Sequence, residues 1–200
     1  RIFIAANNTA AIFQNKTMKT VVLDRDGVIN EDTDAYVKTP GEWIPIPGSL
    51  EAIANLKSAG YRVVVASNQS GLGRGLFDGQ ALAKIHHKFC SMVEKAGGFI
   101  DGIFFCPHLP TDGCGCRKPA TGLLEQIENE FACSLRGCFL VGDGYKDIQA
   151  ALAFGLRPIL VRTGKGSATE RRLLSGNNRG VPVVDSLAMA VKDVILQADE

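Results

Sequence analysis

The chain contains no apolar run near the ~20 residues that a membrane-spanning helix requires, so the sequence predicts no membrane partner. It also lacks an excess of either charge: 22 basic residues face 21 acidic ones, a net of +1. Bulk electrostatic attraction to nucleic acid is thereby excluded. There are no internal repeats, no low-complexity segment and no linker, and 200 residues read as one domain. Positions 1–17 lack any clear period, and Asn7 and Asn8 break their apolar pieces, which makes a poor secretory signal. These residues are expected to be an upstream extension, with 18–200 forming the domain. Two glycine-rich stretches are not nucleotide loops. Gly71, Gly73 and Gly75 are not followed by Gly-Lys-Ser/Thr, and Gly164-Lys165-Gly166-Ser167 lacks the leading glycine. An NTPase is therefore excluded. No apolar stripe is left over for a partner, and a monomer acting on a small molecule is expected.

What is present is a 46% hydrophobic composition, enough for a sizeable core. Apolar, β-branched runs predict strands at 20–23, 62–66, 102–105, 138–141, 158–161 and 181–184. Helical patterns at 49–59, 78–96, 121–131, 145–154, 168–174 and 186–197 lie between and after them. Ser49 reads as an N-cap and Gly60 as the C′ residue of the first helix. Strands alternating with helices predict an α/β fold, a three-layer Rossmann-like parallel sheet covered on both faces. Two long loops, 27–48 and 106–120, interrupt the order, and long loops in a compact domain are usually functional.

The chemistry-bearing residues collect at the strand ends. Val21-Val22-Leu23 runs into Asp24-Arg25-Asp26-Gly27. Two acids at i and i+2 on a strand tip suit a divalent cation plus one reactive oxygen, although a solvated turn has the same pattern. The second strand ends in Ser67-Asn68-Gln69-Ser70-Gly71, which can bind phosphate oxygens or form an ordinary polar loop. The fourth ends in Gly142-Asp143-Gly144, with Asp147 in the first turn of the next helix. Glycines on both sides of Asp143 imply close backbone approach, whereas Asp147 equally fits a helix-start acid. Arg117-Lys118 adds a cation pair ahead of another helix. Acids, a hydroxyl and paired cations on one sheet edge suit phosphoryl transfer.

The six cysteines point to a metal rather than to disulfides. Cys106-Pro107-His108 and Cys114-Gly115-Cys116 supply three thiolates and an imidazole across a five-residue spacer. A closed set of four such ligands indicates structural Zn²⁺, with no open position for catalysis. Cys90, Cys133 and Cys138 read as core, and the adjacent His86 and His87 receive no role.

Taken in order, Asp24-x-Asp26-Gly27, Ser67, Lys118 and Gly142-Asp143…Asp147 resemble the four motifs of the haloacid dehalogenase superfamily of phosphatases, from about residue 19 onward. The zinc loop ahead of Arg117-Lys118-Pro119 narrows the resemblance to heptose bisphosphate and histidinol-phosphate phosphatases. Ala35-Tyr36-Val37, Ser67 to Gly71 with Arg74-Gly75, and Val161-Arg162-Thr163-Gly164-Lys165-Gly166 favour the former. The resemblance implies a single domain without a large cap. It implies Mg²⁺-dependent removal of the 7-phosphate of a heptose 1,7-bisphosphate, in the cytoplasm, for surface-glycan synthesis; histidinol phosphate is the rival substrate. It further implies that Asp24 is the nucleophile and Asp26 the general acid and base. Asp24, Asp143 and the carbonyl of Asp26 would bind Mg²⁺, while Ser67 and Lys118 hold the phosphoryl group. Asp32, Tyr36, Asn68, Gln69, Ser70, Arg74 and Arg117 would contact substrate. Cys106, His108, Cys114 and Cys116 would hold Zn²⁺. One departure is that Gly144 follows Asp143 where the heptose enzymes often have lysine, with Lys146 two positions on.

Overall fold

A computed structural model describes residues 19–175 and 180–199; the expected extension 1–17 lies outside them. In chain order the elements are β1 (Thr20–Leu23), α1 (Ser49–Ser58), β2 (Arg62–Asn68), α2 (Ser70–Gly73), α3 (Gly79–Lys95), β3 (Gly102–Cys106) and α4 (Gly122–Phe131). Then follow β4 (Phe139–Gly142), α5 (Tyr145–Phe154), β5 (Arg157–Val161), α6 (Gly166–Leu174), β6 (Val183–Val184) and α7 (Leu187–Met189).

The six strands form one sheet in the order β3-β2-β1-β4-β5-β6, and every pairing is parallel. Side chains alternate across it, as a strand's period of two demands. Val21, Leu23, Val63, Val65, Val141 and Ile159 enter one core, with Ile53, Leu56, Ile85, Phe89 and Val191 packed over them. Val22, Val64, Ala66 and Leu140 enter the other, beneath Leu123, Leu124, Ile127, Ala150 and Ala151. Both faces are covered, which explains why β1 reads as an unbroken apolar run. Among the described residues no segment builds a large cap.

β1 lies at the centre, with β2 on one side and β4 on the other. The chain thus reverses its direction of progress across the sheet beside β1, and the crevice outside the carboxyl ends of β1 and β4 is where open α/β sheets bind ligands.

Three local details differ from expectation. Gly48, with φ of 80°, caps α1, and Ser49 instead donates from its hydroxyl to Ile29 O at 2.7 Å, tying the helix to the loop after β1. The short α2 has a glycine-rich sequence without helical propensity; Gly71 tolerates the site because a Cβ there would collide with Phe77. The final helix is not continuous: α7 is followed by π-helical turns at Ala190–Ile195. Apolar spacing over so few turns does not separate i→i+4 from i→i+5 bonding.

Candidate active site

The carboxyl ends of β1, β2 and β4 frame a cleft of about 580 Å³, within the range for small-molecule sites. Asp24 leaves β1 with its amide still bonded to Val141 O at 2.9 Å, so the neighbouring strand fixes the acid's start point. The next turn closes through Gly27 N to Asn30 O at 2.8 Å. Gly27 has φ of 80°, and a Cβ there or at Gly164 would strike the Asp143 carboxylate. These two glycines allow Asp143 to sit against the β1 loop, where its Oδ2 accepts from Lys165 N at 2.8 Å.

Beneath the cleft lies a buried charge triad. Lys118 is paired with Asp24 Oδ2 at 3.1 Å and Asp147 Oδ1 at 2.6 Å, and it donates to Ala66 O at 2.6 Å. Burial raises Asp24's pKa, but the charges of Lys118 and Lys146 outweigh it and hold the carboxyl below its ordinary value. Burial pushes the pKa of Lys118 down, and Asp147 and Asp24 more than restore it. Asp147 is raised, chiefly by burial, despite Lys118. Asp143 is pushed up to about 7 by burial and then by the charge of Asp24. One carboxylate oxygen each from Asp24, Asp143 and Asp147 lies within 4.8 Å of the others. Lys118 is shared between Asp147 and Asp24, and Asp143 adds a third carboxylate beside them, a surplus of negative charge that a divalent cation would offset.

Asp26, at the cleft wall, is held by Arg25, Asn30 and Gln69. Ser67 accepts from Gln69 Nε2 at 2.9 Å. Asn68 spends its amide on Lys118: it accepts from Lys118 N and donates to Lys118 O, both at 3.0 Å. It therefore fixes the main chain that carries the lysine, in addition to lining the cleft.

On the adjoining loop, Cys106 Sγ lies 3.5 Å from His108 Nδ1, 3.6 Å from Cys114 Sγ and 3.2 Å from Cys116 Sγ. His108 Nδ1 is 3.3 Å from Cys116 Sγ, and the two remaining thiols, of Cys114 and Cys116, are 3.6 Å apart. All four ligand atoms fall within 4.8 Å of one another. Such spacings suit ligands gathered around one tetrahedral ion. Arg117 follows directly and donates to His108 O at 3.2 Å.

Asp24, Asp26, Asp32, Tyr36, Ser67, Asn68, Gln69, Ser70, Arg117 and Asp143 all line the cleft. Lys118 is buried under its floor. Arg74 is brought to neither place: it is exposed at the C-terminal end of α2 and is not among the residues that line the cleft. Sequence reasoning left Asp147 out of the candidate ligands, yet it is fully buried against Lys118. The signal was present: Gly142 has no side chain, and a Cβ there would collide with Asp147. Arg25 and His86 received no role from the sequence, and Lys146 and Lys165 entered it only through the resemblance to the heptose enzymes. Lys146 and Lys165 line the cleft, and Lys165 pairs with Asp32 at 3.3 Å and Asp34 at 3.4 Å.

Comparison with known proteins agrees with this geometry. Residues 115–190 match the family model described as HAD-hyrolase-like. The chain is 47% identical over 181 residues to D-glycero-beta-D-manno-heptose-1,7-bisphosphate 7-phosphatase of Bordetella bronchiseptica, covering 90% of this chain and 100% of that one. The Pseudomonas aeruginosa protein of the same name is 48% identical over 177 residues, 88% of this chain and 97% of its own. Among solved structures, the B. bronchiseptica D,D-heptose 1,7-bisphosphate phosphatase, complexed with magnesium and phosphate, superposes with a TM-score of 0.84 at 47% identity, over 90% of this chain and 99% of that one. The Burkholderia thailandensis enzyme gives 0.68 at 43% identity, over 88% and 98%.

Fold and site together define a phosphoric monoester hydrolase of the haloacid dehalogenase class. Within that class, the chain belongs to the D-glycero-D-manno-heptose-1,7-bisphosphate 7-phosphatase family.

Proposed function

We propose that this protein removes the 7-phosphate of D-glycero-D-manno-heptose 1,7-bisphosphate by way of an aspartyl phosphate on Asp24. The observation that carries this reading is the pairing of Asp24 with Asp143 at the cleft floor, with Asp26 on the wall beside it. The relatives' names and the magnesium and phosphate of the B. bronchiseptica structure support the substrate and the ion.

Asp24, Asp143 and the main-chain carbonyl of Asp26 would hold Mg²⁺, which supplies positive charge to the phosphoryl oxygens when bound. Lys118 keeps Asp24 ionised and aimed from below. An Asp24 carboxylate oxygen attacks phosphorus, and the bond from phosphorus to the sugar oxygen breaks. In this reading Asp26 serves as the general acid that gives a proton to that leaving oxygen. Asp26 then accepts a proton from water as the water oxygen attacks phosphorus, and the bond to Asp24 breaks to release phosphate. Ser67 offers its hydroxyl to a phosphoryl oxygen, and Arg117 offers a fork to the substrate's anionic groups. Cys106, His108, Cys114 and Cys116 would hold a structural Zn²⁺ that keeps Arg117 and Lys118 in place. We further propose a monomer working in the cytoplasm on a precursor of surface glycans; among the described residues no helix is long and apolar enough to cross a membrane.

A panel of phosphate esters with Mg²⁺ tests the substrate. Heptose 1,7-bisphosphate is expected to give the highest kcat/KM, with the 1-phosphate retained. A higher value for histidinol phosphate would overturn the assignment while leaving the phosphatase chemistry intact.

A further inference from the structure

Arg25 lies between the two acids of the first motif, where sequence alone assigns it nothing. Its side chain is 1% exposed, and almost every donor it has is directed at one neighbour or that neighbour's supports. Nε donates to Asp26 Oδ1 at 3.1 Å, and Nη2 donates to Asp26 Oδ1 at 2.8 Å and Oδ2 at 2.9 Å. Nη2 also reaches Gln69 Oε1 at 3.1 Å. Nη1 lies 3.4 Å from Nε2 of His86, which is itself 2% exposed and sits edge-on to Phe105 with ring centroids 5.8 Å apart. Asn30 Nδ2 and Gln69 Nε2 complete the shell around Asp26, at 2.9 and 2.8 Å.

A buried ion pair is weak grounds for stability, since well-packed apolar residues of similar volume often serve as well. What a guanidinium provides that an apolar residue or a lysine does not is a planar fork that fixes the plane of a carboxylate. The fork here is itself fixed on its far side by His86 and Gln69, on elements α3 and β2–α2. We propose that Arg25 is the positioning residue of the acid–base carboxylate Asp26, and that His86 is the buried stop holding the Arg25 fork in register. The inference rests on the aspartyl-phosphate reading above, in which Asp26 protonates the leaving oxygen.

That role has a signature that a purely structural one lacks. A sugar alkoxide needs a proton in order to leave; a nitrophenolate leaves without one. A misplaced acid therefore slows aspartyl-phosphate formation from the sugar ester and spares it from the aryl ester. The experiment measures kcat/KM of the Mg²⁺-loaded protein on heptose 1,7-bisphosphate and on 4-nitrophenyl phosphate. Arg25→Lys, which keeps the charge and loses the fork, is expected to lose on the order of 10²-fold on the sugar ester and less than about threefold on the aryl ester. His86→Leu, which leaves Asp26's direct donors in place, is expected to give the same split at about 3–10-fold and answers the question if Arg25→Lys does not fold. Asp26→Asn is the reference and must lose far more on the sugar ester than on the aryl ester. Equal losses on both esters, no loss on either, or a gain on the sugar ester would overturn the proposal. An Asp26→Asn variant without a split would instead remove the acid–base reading itself, and this inference with it.

Discussion

Lys118 shows how far one residue can be read from its chemistry. It was legible as a cation near phosphate, but not as the buried centre of a triad, because its two acids come from segments remote in sequence. Removing one partner of a buried pair leaves the rest uncompensated, typically at 3–5 kcal/mol. Lys118→Met should therefore lower the free energy of unfolding by about 3–5 kcal/mol by denaturant titration, beyond abolishing activity. A loss below about 1 kcal/mol would show that the two carboxylates find other compensation. His86 gives a prediction of opposite kind. Burial, then the charge of Arg25, lowers its pKa to about 3 from 6.5, against a smaller opposing effect of Asp26. The unfolded chain takes up the proton first, so this stability is present above pH 6.5 and is lost as pH falls toward about 3. Between about pH 7 and about pH 5 the loss from this group is about 2 kcal/mol. His86→Leu should flatten that part of the stability curve; parallel curves for the two proteins would show that the imidazole is not held neutral.

At the scale of elements, the loop carrying Cys106, His108, Cys114 and Cys116 was the most legible part of the site, because three thiols and an imidazole at short spacing suit few arrangements other than the cluster they form. The loop is anchored at its start by Cys106, the last residue of β3, and its end runs through Arg117 and Lys118 into α4. Loss of the proposed Zn²⁺ should displace both cations, and a shift of ~1 Å in a positioning group can cost on the order of 10²-fold. Cys114→Ser is expected to lower zinc content and kcat/KM together, without rescue by added Mg²⁺. A zinc-free variant of full activity would reduce the ion to a stabiliser of the fold. α2 and the last helix were the least legible elements. A Ser-Gly-Leu-Gly helix is held by close packing that sequence does not display, and Arg74 at its end is exposed outside the cleft lining. Leu187 of α7 and Ala190, Val191 and Ile195 of the π-helical turns are all buried, the same apolar stripe a regular helix would carry.

For the molecule as a whole, the order of elements sufficed for a parallel sheet with ligands at its carboxyl edge, because alternating β and α segments leave little topological choice. The strand order and the depth of the acids were not readable, since both follow from packing between distant segments. That depth has a thermodynamic consequence. The raised pKa of Asp143, about 7, contributes stability present below 3.8 that is lost as pH rises through about 7 in the metal-free protein. A divalent cation held by Asp24 and Asp143 as proposed would offset this cost. Mg²⁺ should stabilise the protein against unfolding by about 2.7 kcal/mol at 100 times its Kd. At a subsaturating concentration the effect should be larger near about pH 8 than near about pH 6, where a proton competes for Asp143. Asp143→Asn should remove most of the effect; an unchanged Mg²⁺ response in that variant would place the ion elsewhere.

Phosphoryl transfer through the Asp24 carboxylate is tested by the rate of 7-phosphate release by Asp24→Asn with Mg²⁺ present. The amide nearly matches the carboxylate in shape, so the fold is expected to persist while the nucleophile is lost. Release is expected to fall to the uncatalysed background. A folded Asp24→Asn protein turning over within about tenfold of the native rate would retain far more than loss of a covalent nucleophile allows, and would contradict it.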